Sequence, residues 1–312
     1  MTRFISKCLY FITLGLFSIG VSLFAIFFTP KLKFEYGNMA KSEDYKNCFD
    51  NIVNDYTVVL GNSKALAAID GKYLNELMHK SVYNLAYVSS NLTHSKIVLK
   101  SVLSKSNKPN NVFLEVSWFS FNNMRTELHL ASLVPIVLST KKENFPSFKE
   151  VLMLLKKGFL NDIFNYIKSR DNAMNIIYTD RWNGNIQNPN EINKREFYSV
   201  FPDGKAKINE KLFNDLNEII DLCKKNNIRL VLFNASESNE FKKCQVDRKL
   251  ILEKLQELAS SRDTEFVDLS DILTDENGSS ILSDSHHVSN ERFFTEKFFQ
   301  RVNKVVDYGA TN

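Results

Sequence analysis

At 312 residues the chain can bury a full core, and it reads as one domain with a substantial insertion once an amino-terminal segment is set aside. Its 40 basic and 36 acidic residues leave a net charge of only +4 with no strongly basic block, which excludes nucleic acid as an expected partner. Four cysteines without Cys-x-x-Cys or Cys/His ligand spacing argue against a zinc site, and no metal or cofactor is expected.

From Cys8 to Phe28 no charge interrupts twenty-one residues. A helix of that length spans about 30 Å, the thickness of a hydrocarbon core. No small-x-small cleavage site follows before Pro30, so the run is expected to stay as a single-pass anchor in the cell membrane rather than leave as a signal peptide. Arg3 and Lys7 precede it in a short basic tail, which favours a cytoplasmic amino terminus and an extracytoplasmic domain. The expected organisation is tail and anchor at 1–29, a polar stem at 30–54, and an α/β domain at 55–312 with an insertion at about 119–207. An outside location would permit one disulfide, such as Cys223 with Cys244.

Tyr56 to Leu60 is apolar without polar alternation, the pattern of a strand buried on both faces of a parallel sheet. Gly61 permits a tight turn, and Asn62-Ser63 open a helical segment that is interrupted near Asp70-Gly71 and runs on to His79. Further strands are expected at Ser81 to Ala86, Asn111 to Ser117, Ile228 to Asn234 and Glu265 to Leu269. Helices are expected at Thr93 to Ser104, Asn209 to Asn226, Asp247 to Ser260 and Glu291 to Val306. This alternation predicts a five-stranded parallel sheet between helices, a three-layer sandwich. Between Trp118 and about Lys207 it fails: Phe148 to Ile167 reads as an amphipathic helix, and Arg181-Trp182-Asn183-Gly184-Asn185 as an exposed loop.

Two distant stretches carry the chemistry. Ser63 follows the first strand at a turn, where a hydroxyl would stand at the carboxyl edge of the sheet and a helix amino terminus. Read alone it is equally an N-cap. Near the other end, Asp284 and His287 lie three apart in Ser283-Asp284-Ser285-His286-His287, so that the carboxylate could orient an imidazole able to take the serine proton. His286 is the neighbouring alternative. Gly61-Asn62-Ser63-Lys64 lacks the glycine-rich spacing of a phosphate-binding P-loop.

Gly61-Asn62-Ser63 after a strand, with Asp284-x-x-His287 before the last helix, resembles the first and last blocks of the SGNH (GDSL-type) hydrolase superfamily, a flavodoxin-like fold. The resemblance implies Ser63 as nucleophile, His287 as base and Asp284 as its orienter. Tyr83-Asn84-Leu85-Ala86 and Val116-Ser117-Trp118-Phe119 are similar to stretches of the membrane-tethered DltD-like branch, which takes part in D-alanylation of teichoic acids. Asn62 stands where the superfamily has aspartate, Ala86 where it has glycine, and its G-x-N-D block is missing. The implied oxyanion donors are therefore the Ser63 and Ala86 amides, with Asn122 or Asn123 as a side-chain donor. The implied function is an anchored serine acyl-esterase or acyltransferase acting on a cell-envelope or exported polysaccharide, with a membrane-bound O-acyltransferase as possible donor partner. The rival is a binding or assembly protein of a glycan pathway that kept the fold and lost the reaction.

Overall fold

Tyr56–Leu60 forms a strand, β1, buried along its whole length. In chain order α1 (Ser63–Ala68), α2 (Gly71–Met78), β2 (Ser81–Asn84), α3 (Leu92–Leu103) and β3 (Asn111–Glu115) follow, and Trp118–Phe121 makes a short 3-10 turn. Next come α4 (Glu210–Lys225), β4 (Arg229–Asn234), α5 (Asn239–Cys244), α6 (Arg248–Ser261), β5 (Glu265–Asp268) and α7 (Glu291–Gly309). This computed structural model describes residues 54–87, 90–105, 107–121, 201–206 and 209–309, with residues 44, 47, 48, 192, 194, 197 and 198. The expected anchor at Cys8 to Phe28, the helix at Phe148 to Ile167 and the Arg181 to Asn185 loop lie outside the described residues. Among the described residues no helix is long and apolar enough to cross a membrane.

The five strands form one sheet in the order β2-β1-β3-β4-β5, and every pair is parallel. Successive strand side chains face opposite sides, so an apolar run feeds two cores at once. Val58, Leu60, Val112, Leu114 and Leu232 pack on one face with α3, α4 and α6. Val59, Phe113, Val231 and Phe233 pack on the other with α1, α2 and α7, where Phe298 meets Phe113 edge-on at 5.0 Å. Helix, sheet and helix thus make the three layers that the alternation predicts.

Differences from the expected boundaries have physical causes. The interruption at Asp70 is a helix start: its carboxylate accepts from the amides of Lys72 (3.0 Å) and Tyr73 (3.1 Å) and caps α2. β2, β3 and β5 stop short of Ala86, Ser117 and Leu269, yet the ladder runs on by single bonds from Leu85 N–H to Val59 O (2.8 Å), Val116 N–H to Phe233 O (2.8 Å) and Leu269 N–H to Asn234 O (2.9 Å). The six-residue α5 was not among the expected helices. Two residues assigned to the stem pack on the domain: Cys48 is buried in the core, and the Asp44 carboxylate accepts from the Asn84 amide at 3.1 Å. Cys48, Cys223 and Cys244 are free and buried, so Cys223 and Cys244 are not paired in this structure.

The strand order reverses at β1. β2 lies on one side of it and β3 on the other, and open α/β sheets bind ligands at the carboxyl ends of the strands beside such a switch point. The turn carrying Ser63 leaves β1 at that end.

Candidate active site

Gly61 takes the chain out of β1 with φ of +142°, in the region that favours glycine. A Cβ there would lie 2.7 Å from the Glu115 Cβ and 2.9 Å from the Ala65 Cβ, so β3 and α1 close in only because the side chain is absent. The turn is fastened through the Gly61 carbonyl, which accepts from the Tyr87 amide (3.0 Å) and the Ser90 hydroxyl (2.5 Å). Asn62, not Ser63, caps α1: its Oδ1 accepts from the Lys64 amide at 2.8 Å. The capping role is therefore filled by a neighbour, and the Ser63 hydroxyl points elsewhere.

It points at an imidazole. Ser63 Oγ lies 2.8 Å from His287 Nε2, and His287 Nδ1 lies 2.7 Å from Asp284 Oδ2. The imidazole comes from a loop closed by the antiparallel bridge Leu282 to Val288, with the Ser283 amide donating to the His287 carbonyl at 2.9 Å. Asp284 holds that loop together. Its Oδ1 accepts from the amides of His286 (2.9 Å) and His287 (2.8 Å), which leaves Oδ2 for the ring.

Burial by itself pushes the Asp284 carboxyl up, but the nearby His286, the hydrogen bond from His287 and its charge, and the His286 amide outweigh it. The carboxyl is held well below the usual carboxylate range. An ionised Asp284 can only accept, so the Nδ1 of a neutral His287 carries the proton and its Nε2 is left to accept from the Ser63 hydroxyl. That is the arrangement a general base needs.

His286, the alternative, is 2% exposed and stacks on Phe241 with ring centres 4.8 Å apart. Its Nδ1 lies 2.9 Å from the Ser285 hydroxyl, so it is held within the loop while the next residue faces the serine. Ligand atoms of Asp284, His286 and His287 lie within 4.8 Å of one another, a group that could also hold a metal ion. Both His287 nitrogens are committed, one to the carboxylate and one to the serine, which fits a proton relay better than a ligand set.

No family model matches the chain. No curated protein matches its sequence. Among solved structures it is similar to a protein assigned to the lipolytic G-D-S-L family from Desulfitobacterium hafniense, at 12% identity and a TM-score of 0.41, covering 79% of this chain and 99% of that one. It is also similar to a GDSL-like lipase from Bacteroides thetaiotaomicron, at 10% identity and a TM-score of 0.42, covering 86% and 98%. A third is a family two carbohydrate esterase from Clostridium thermocellum, at 7% identity and a TM-score of 0.35, covering 82% and 65%.

The implied oxyanion donors fare differently. As the first residue of α1, Ser63 has an amide without an acceptor inside the helix. The Ala86 amide is already engaged, donating to Asn84 Oδ1 at 3.1 Å, so it does not present a free N–H here. Asn122 and Asn123 lie outside the described residues. Asn84, which sequence reasoning did not single out as a site residue, fixes this corner: its Nδ2 donates to the carbonyls of Ile69 (3.0 Å) and Ala65 (3.3 Å), tying the end of β2 to α1.

Sequence reasoning also missed an ion cluster beside the serine. Lys64, 1% exposed, donates from Nζ to Glu237 (2.7 Å) and to Asn234 Oδ1 (3.1 Å), and its Nζ lies 3.6 Å from Glu115. Arg248 donates from Nε to the other Glu237 oxygen at 3.1 Å. The two carboxyls part company. Burial raises both, but Lys64 and Arg248 reverse it at Glu237 and hold that group low. At Glu115 burial prevails over the Lys64 charge and the nearby Ser117 hydroxyl, and the group stays high. The cluster therefore sets a carboxyl held low by two cations beside one held high by burial. A sequence signal for it existed: Glu115 is the one charge in the apolar run Asn111 to Ser117.

Proposed function

We propose that this chain is a serine acyl-esterase or O-acyltransferase of the SGNH type, and the observation that carries the reading is the relay Ser63 to His287 to Asp284 at 2.8 and 2.7 Å. Ser63 Oγ attacks the acyl carbonyl carbon while its proton passes to His287 Nε2. The carbonyl oxygen takes the negative charge, and the Ser63 amide at the start of α1 would donate to it; Ala86 would have to exchange Asn84 Oδ1 for that oxygen. Collapse breaks the bond to the leaving alcohol, which takes the proton from His287 and leaves an acyl-Ser63 ester. Water or a sugar hydroxyl then attacks that ester by the same steps in reverse, giving hydrolysis or transfer.

The finer assignment rests on the sequence resemblance. A DltD-like chain anchored through Cys8 to Phe28 would carry its domain outside the cell membrane and act on an acyl group of a cell-envelope glycan, with a membrane-bound O-acyltransferase as donor. The engaged Ala86 amide favours a second reading, a glycan-pathway binding protein that no longer turns over.

The test is covalent. The full-length chain in detergent is treated with a fluorophosphonate and, separately, with p-nitrophenyl acetate, beside Ser63→Ala. Labelling and ester cleavage that vanish in Ser63→Ala are expected. Wild type that labels no better than Ser63→Ala would sink the enzyme reading.

A further inference from the structure

Resting on that reading, we propose that Lys64 and Glu237 are positioning residues, whose ion pair ties the turn bearing Ser63 to the loop bearing Asp284 and His287 and so sets the hydrogen bond between nucleophile and base. The path is short and made of strong contacts. Lys64 follows Ser63 on α1 and meets Glu237 at 2.7 Å. Ser238, the next residue, donates its amide to the carbonyl of Ser285 at 2.8 Å, and Ser285 lies between Asp284 and His286.

Glu237 is itself held from behind. Its amide donates to the Ser270 carbonyl at 3.2 Å, and Arg248 bridges it to the Ser270 hydroxyl through bonds of 3.1 and 2.7 Å. The far end of α1 is pinned separately: the Thr295 hydroxyl of α7 accepts from the Asp70 amide at 2.9 Å and donates to the Ala68 carbonyl at 3.3 Å. At the end that carries the nucleophile, Lys64 supplies the tie to the 237–238 segment.

Burying an ion pair is a poor way to gain stability, since an apolar pair of equal volume often serves as well or better. What the pair supplies is geometry, because a charge-assisted hydrogen bond in a dry site tolerates little displacement. Glu115, a buried carboxyl beside the same ammonium, gives a way to separate the two roles. It lies 3.6 Å from Lys64 on β3, a strand that carries no triad residue. In Glu237→Gln the Glu115 carboxylate can balance Lys64, while the bond to the 237–238 segment falls from a charge-assisted one to a weaker one with a neutral amide oxygen.

Full-length wild type, Lys64→Met, Glu237→Gln and Glu115→Gln in detergent are compared by fluorophosphonate labelling rate, by thermal unfolding, and by the far-downfield proton resonance of the His287 Nδ1–H bond to Asp284. Glu237→Gln is expected to unfold near the wild-type temperature yet label more slowly by on the order of 10- to 100-fold, with the downfield proton shifted or lost. Lys64→Met is expected to behave likewise with a lower unfolding temperature, and Glu115→Gln to label as wild type does. A Glu237→Gln protein with the wild-type labelling rate and an unmoved resonance overturns the proposal. Should wild type itself fail to label, the acyl chemistry falls, and the resonance in wild type against Glu237→Gln still decides the brace: moved supports it, unmoved refutes it.

Discussion

Replacing Gly61 with alanine tests how the nucleophile turn is built. Alanine would be held at φ of +142° with its Cβ 2.7 Å from the Glu115 Cβ and 2.9 Å from the Ala65 Cβ, all atoms close to the backbone and none at the end of a flexible chain. The backbone conformation costs about 1–3 kcal/mol for a residue with a side chain, and forcing a methyl into packed surroundings costs about 1–3 kcal/mol more. A total of about 4 kcal/mol is a large part of the ~5–15 kcal/mol that holds a domain together, and corresponds to roughly 8–16 °C in Tm. Gly278→Ala is the control: Gly278 has φ of +76° but nothing within 4 Å of where a Cβ would sit, so only the backbone term of about 1–2 kcal/mol applies. Thermal unfolding of both variants gives the difference directly, and labelling well below each Tm reports whether Ser63 has moved. Gly61→Ala unfolding no earlier than Gly278→Ala, with labelling intact, would refute the claim that close approach of β3 and α1 defines the turn.

Two further outcomes follow from the charges at the site. Because the folded Asp284 carboxyl is held low, the stability it contributes is present above the ordinary carboxylate value of 3.8 and is lost only as pH falls through the lower folded value. Asp284→Asn should therefore lower Tm at neutral pH, with the gap closing only in strong acid, and should slow labelling on the order of 1,000-fold as the imidazole loses its orientation. A Tm gap that closes already at mildly acidic pH would contradict the assignment. Glu115 has the opposite sign: its stability is whole below its ordinary value of 4.5 and is lost as pH rises towards the raised folded value. Glu115→Gln should thus unfold at the wild-type temperature below pH 4.5 and at a higher one as pH rises above it, and a flat difference across that range would show that burial does not hold the Glu115 carboxyl high.

Much of the scaffold is legible in the sequence because a parallel strand buried on both faces has to be apolar throughout. Tyr56–Leu60 appears where that run ends at Gly61, and β4 closes at Asn234 as expected. Where the reading overran, at Ala86, Ser117 and Leu269, the residues still carry strand-like sequence, and further backbone bonds extend the ladder past the paired register. The turn and the Asp284 loop are also readable, since residue type and spacing are local properties. The ion cluster is not. Lysine and glutamate on a helix or loop are ordinarily solvated, and Lys64, Glu115 and Glu237 become neighbours only when the α1 turn, β3 and the segment after β4 meet at one edge of the sheet. The engaged state of the Ala86 amide is hidden for the same reason, because it depends on the rotamer of Asn84 rather than on any spacing.

The buried thiols bear on how this protein can be handled at the bench. Cys48 and Cys223 are each pushed up to about 12 by burial, which leaves them almost wholly protonated in any ordinary buffer. Electrophiles aimed at an activated alcohol will meet no ready competitor at those two sulfurs. A reporter cysteine placed on the domain's outer surface will meet no competition for an alkylating reagent from those two thiols, while Ser63 stays open to its own class of reagent.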